Sequence, residues 1–101
     1  MNYENFKTAC ENFGKRIETM VEVKYYDLSD YGREDWYQAV FMVDKFGGDA
    51  CIIKFYEGNL WYEAAWGRMI VRDLNEAFDL VPIDVYMERE ARANVEIPFE
   101  D

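Results

Sequence analysis

The sequence predicts an α+β fold: an N-terminal amphipathic helix packed on a three- to five-stranded antiparallel meander, followed by one or two short C-terminal helices. Three observations predict it. Apolar residues recur at three- and four-residue spacing over residues 3–20. The period then changes to two, and two short glycine-containing turns separate β-rich runs. The chain of 101 residues reads as a single acidic domain over 1–101, with 95–101 as a frayed tail. Half its residues are apolar and 18% aromatic, enough to form a core without disulfides or metal.

In the first helix Phe6, Ala9, Cys10, Phe13, Ile17 and Met20 form one apolar stripe and Asn2 is placed to cap. Its polar face is balanced, with Glu11 and Lys15 in the favourable i,i+4 order. Val21, Val23 and Tyr25 alternate with polar neighbours as a half-buried strand, and Asp27-Leu28-Ser29-Asp30-Tyr31-Gly32-Arg33-Glu34-Asp35 is a polar loop. Strands follow over 36–46, 50–56 and 60–66, joined by turns at Gly47-Gly48-Asp49 and Glu57-Gly58-Asn59. Gly67 marks a bulge or bend before a run at 68–71. Leu74, Ala77, Phe78 and Val81 predict a short helix over 73–81, which Pro82 limits because the residue before proline leaves the α region. Residues 83–94 fit either a strand or a second helix.

The chain has no histidine, which removes the usual general base, the commonest zinc ligand and every His-activated nucleophile. Cys10 and Cys51 occupy apolar positions and read as reduced core residues. The loop from Asp27 places Asp, Ser and Gly at positions one, three and six of a calcium loop. Tyr31 at five and Gln38 at twelve withhold the remaining side-chain ligands, so it reads as a turn. Neither a metal nor a cofactor is expected. Glu63 sits in an apolar strand context and reads either as a desolvated carboxylate or as a partner of Lys54. The many Tyr and Trp residues read either as an exposed, interface-forming sheet face or as a face covered by the C-terminal segment.

With 21 acids against 11 bases, the net charge is −10. It is regional: residues 1–20 sum to zero, 21–71 to −4 and 72–101 to −6. Acids three or four apart on a helix stand ~5–6 Å from one another, a row comparable to nucleic-acid phosphates. The plain alternative is a surface charged for solubility, with Arg72 pairing Glu76.

In size, charge and element order the chain resembles phage-encoded DNA mimics, among them anti-CRISPR and anti-restriction proteins; the likeness carries no motif and transfers no residue. It implies a small acidic inhibitor, not an enzyme, acting in the cytoplasm of a bacterial host cell. The partner is a basic, nucleic-acid-binding enzyme whose channel the inhibitor occupies, with no direct contact to nucleic acid or membrane. Asp73, Glu76, Asp79, Asp84, Glu88 and Glu90 would meet the partner's Lys and Arg, with Asp27, Asp30, Glu34 and Asp35 as a second acidic lobe. Tyr31 and sheet tyrosines would serve as anchors. Reversing Asp73, Glu76 and Asp79 to lysine is expected to keep the fold. An immunity protein neutralising a bacterial toxin is the alternative, and a carboxylate-dependent enzyme or ligand-binding domain built on Glu63 is the third reading.

Overall fold

The computed structural model describes residues 2–17, 22–31, 35–44 and 47–96. Helix α1 (Tyr3–Gly14) precedes strands β1 (Glu22–Asp27), β2 (Tyr37–Asp44), β3 (Gly47–Tyr56), β4 (Asn59–Ala64) and β5 (Gly67–Val71), and helix α2 (Leu74–Glu96) follows them. Each strand pairs antiparallel with its sequence neighbour, so the sheet is a five-stranded meander edged by β1 and β5. The α+β class and the meander agree with the sequence.

The stripe of α1 explains its seat. Asn2 accepts a hydrogen bond from the Asn5 N–H at 2.9 Å, capping the helix. Phe6 and Cys10 are fully buried, with Ala9, Phe13 and Ile17 packed around them. Phe13 stacks on Phe78 of α2 with ring centroids 4.3 Å apart, which joins the two helices over the sheet. The helix ends at Gly14, short of the predicted residue 20. A Cβ on Gly14 would stand 3.4 Å from Val23 Cγ2, so the helix closes directly on β1. Met20 lies outside the described residues.

Turn chemistry fixes the register. Tyr56 pairs with Asn59 across Glu57-Gly58, both at positive φ (53° and 77°), as a type I′ hairpin requires. Ala64 pairs with Gly67, so Ala65-Trp66 is the β4–β5 turn, and Trp66 stands at a corner instead of ending a strand. The glycine pair likewise differs from expectation: Gly47 pairs with Asp44, which places both glycines in β3, and the connecting residues 45–46 lie outside the described part. A bulge follows, because Phe41 pairs with Cys51 and Met42 with Asp49. Ala50 is the extra residue, and both Ala50 and Cys51 enter the core.

This register puts Val23, Phe41, Cys51, Ile53, Leu60 and Tyr62 on one face of the sheet, where both helices pack. The largest departure from the sequence reading is α2. It runs unbroken through Pro82 to Glu96, where a short helix ending before the proline was expected. Proline costs the helix one N–H donor, but Pro82 is exposed, and Phe78, Val81 and Val85 anchor the helix on both sides of it. Tertiary burial outweighs the local penalty.

Candidate functional site

The N-terminus of α2 consumes part of the acidic row. Asp73 accepts a hydrogen bond from the Glu76 N–H at 2.9 Å, and Arg72 Nε meets Glu76 Oε2 at 2.7 Å. Asp73 is therefore the helix cap and Glu76 an i,i+4 ion-pair partner. Reversing either to lysine removes a contact of the fold, contrary to the expectation that this row is free to change.

Asp84 departs furthest from the expected acidic surface. It is 8% exposed and points inward. Its carboxylate accepts hydrogen bonds from the Tyr62 hydroxyl and from Trp66 Nε1, the latter at 3.1 Å to Oδ1. Burial, with the bond to Asp84 second, raises the Tyr62 phenol far above its usual range, so it stays a neutral donor. Burial also pushes Cys51 beside it up to about 12, although its hydrogen bond with Tyr62 opposes the shift. Cys10 reaches about 12 through burial. Both thiols are free and buried, as their apolar surroundings imply.

Turned outward on α2 are Asp79, Ile83, Tyr86, Met87 and Glu90, spaced to share one side of the helix. Ile83, Tyr86 and Met87 are 59%, 64% and 60% exposed. Three large apolar side chains thus lie in solvent between two exposed acids. Trp66 (55% exposed) and Met69 extend the exposed apolar surface along β4–β5. The sequence reading missed this stripe because it ended the helix at Pro82; continued through the proline, 83, 86, 87 and 90 follow the i, i+3, i+4, i+7 rule. Glu88 is half-buried on the neighbouring flank.

The 27–35 loop is tied by its own polar groups. Asp27 accepts from the Ser29 N–H at 3.1 Å, and Ser29 Oγ accepts from the Trp36 N–H at 3.1 Å. Asp30 and Asp35 are exposed. Burial first, and Asp35 second, raise the Tyr37 phenol. Glu34 and the Tyr31 side chain lie outside the described residues. Through the register Asp27↔Tyr37↔Phe55↔Leu60↔Val71, this loop shares the sheet end at which α2 begins. Asp73 is therefore brought to the same end as Asp27, while the helical rise carries Glu88 and Glu90 away from it.

On the second face of the sheet the aromatics are held by their own neighbours. Trp36 packs on Tyr56, the Arg68 guanidinium lies 5.2 Å from the Trp61 ring, and the Trp61 indole donates to the Tyr56 carbonyl. Lys54 Nζ meets Glu63 Oε1 at 2.7 Å, which is the ion-pair reading of Glu63. Among the described residues no cluster of His, Cys, Asp or Glu is arranged to hold a metal ion, and no helix is long and apolar enough to cross a membrane.

Comparison with protein-family models, with curated proteins and with solved structures finds no match.

Proposed function

We propose that this chain is a protein-binding inhibitor that acts without catalysis, docking the outer side of α2 on a basic protein surface such as the nucleic-acid channel of an effector nuclease. The observation that carries the reading is the exposed Ile83-Tyr86-Met87 stripe bracketed by Asp79 and Glu90. Exposed apolar patches of this kind mark partner surfaces, and aromatic anchors with a charged rim are the usual anatomy of a protein interface. A net charge of −10 adds long-range attraction to a basic partner and raises the encounter rate. The exposed acids on or near this surface include Asp79 and Glu90 on α2, with Asp30 and Asp35 at the sheet end, while Asp73 and Glu76 serve the fold.

The mixed character of the stripe also favours the immunity-type alternative, in which an apolar patch outside the partner's catalytic channel is engaged. Immobilised wild-type chain and an Asp79→Lys/Glu90→Lys variant, exposed to bacterial lysate at low and high salt, test the first claim. The reading expects basic proteins retained by the wild type at low salt and lost both at high salt and by the variant. Retention indifferent to salt and to both reversals would sink it. Competition of a retained protein with DNA or RNA then decides between channel and exosite: displacement supports the mimic, and a ternary complex supports the immunity reading.

A further inference from the structure

Between the flank of α2 and the β4–β5 turn lies a cleft of about 370 Å³, lined by Trp66, Asp84, Met87 and Glu88 with small alanines between them. Its size falls within the ~300–1,000 Å³ range of ligand-holding pockets. Asp84 gives it a specific chemistry. More than nine-tenths of this residue is buried, and both its donors, Tyr62 and Trp66, are neutral. Neither the Lys54–Glu63 nor the Arg72–Glu76 ion pair includes Asp84. A carboxylate has about four acceptor sites, so two donors leave capacity for more. A buried negative charge without a cation is costly, and a cation delivered to it recovers much of that cost.

The second observation is the aromatic wall. Tyr62 stacks along Trp66 at 5.9 Å between centroids, while 55% of Trp66 remains exposed. Carboxylate beside indole suits a flat cation that offers N–H donors at its edge and a face to the ring, which describes guanidinium better than ammonium. The cleft is also placed for a macromolecular donor, because Met87 belongs both to its lining and to the exposed stripe of α2.

We propose that this cleft receives an arginine side chain of the basic partner, its guanidinium against Trp66 and its N–H edge on the Asp84 carboxylate. The proposal rests on the docking reading of α2 and gives that surface its specific anchor point. It makes Asp84 a binding group that lies below the surface, distinct from the solvated acids that steer the encounter.

The free chain can be tested without a known partner. NMR titration with N-acetyl-arginine amide is expected to give saturable shifts of the Trp66 indole N–H and the Met87 methyl group. The neutral isostere N-acetyl-citrulline amide, and sodium chloride at matched ionic strength, are expected to leave both signals in place. Asp84→Asn, which removes the charge and keeps an acceptor for Tyr62 and Trp66, is expected to weaken the arginine probe at least tenfold. Because Asp84 also supports the fold, the exposed Met87→Lys provides an independent arm: its ammonium group competes at the cleft and is expected to weaken the probe by a similar factor. Equal shifts from citrulline or salt, undiminished binding to Met87→Lys, or tighter binding of N-acetyl-lysine amide would each overturn the proposal. Failure of the arginine titration removes the cleft and leaves docking by α2 standing, whereas salt-indifferent capture removes the docking reading whatever the probe does.

Discussion

Alanine at position 84 would leave the Tyr62 hydroxyl and the Trp66 indole N–H without their shared acceptor, one of them in the interior. Unsatisfied buried donors cost about 1–3 kcal/mol each, so Asp84→Ala is expected to lower stability by roughly 2–4 kcal/mol, read as a fall in the urea midpoint. Asparagine retains an oxygen and is expected to cost less than half as much. If alanine and asparagine behave alike, the hydrogen bonds are not what holds this residue. By contrast, Asp79 and Glu90 are exposed, and their reversal is expected to leave stability within about 0.5 kcal/mol. The same chemistry shows where sequence reading stopped. Phe6, Cys10 and the Lys54–Glu63 pair were legible from periodicity and strand alternation. Asp84 was not, because its depth depends on a helix continuing past Pro82, seven residues after Ala77 and three after Val81 on the same inner side.

At the scale of elements, α2 holds together against its own sequence. Pro82 offers no N–H to the Phe78 carbonyl, and a proline in a helix interior costs about 3 kcal/mol relative to alanine. Pro82→Ala restores the donor at an exposed position but frees the unfolded chain, so a net gain of about 1–2 kcal/mol is expected, with more helical circular dichroism. A loss of stability would show that the proline is favoured by a contact on the outer side. The hairpins teach a related lesson. Glu57-Gly58 was readable because a type I′ turn asks for positive φ at both positions. Gly47-Gly48 is an equally strong local turn signal but lies within β3, where Gly47 pairs across strands with Asp44. The bulge at Ala50 leaves no mark in composition, as it is decided by two strands whose apolar faces must both turn toward the helices.

For the whole molecule, alkaline pH is the sensitive variable. Burial holds the Cys10 and Cys51 thiols and the Tyr25 phenol up to about 12, above their ordinary values of 9.0 and 10.0, and holds Tyr62 higher still. These groups are neutral when protonated, and the unfolded chain gives up their protons first. Their contribution is thus complete below about pH 9 and is lost as pH climbs from there toward 12, at up to about 1.4 kcal/mol per pH unit for each thiol. Urea midpoints measured at pH 8, 9.5 and 10.5 are expected to fall in that order. Alkylation of both cysteines is expected to be slow in the native chain and fast in denaturant. Salt acts in the opposite sense on fold and function: screening relieves the self-repulsion of a charge of −10 while weakening attraction to a basic partner.

The meander also leaves two open borders of unequal character. The β1 border alternates exposed Glu22 and Lys24 with its inward residues, whereas β5 ends the sheet with Met69 and Ile70 in solvent. An unpaired strand with apolar side chains is a template on which another copy can extend the sheet, and Arg68 together with mutual repulsion between molecules guards it here. That repulsion comes from the net charge, which vanishes as the solution approaches the isoelectric point near 4.4. Self-association along β5 is therefore expected on mild acidification, visible as light scattering, and Ile70→Lys is expected to suppress it by giving the border a second charge beside Arg68. The acidity that draws a partner is also what keeps this chain apart from itself.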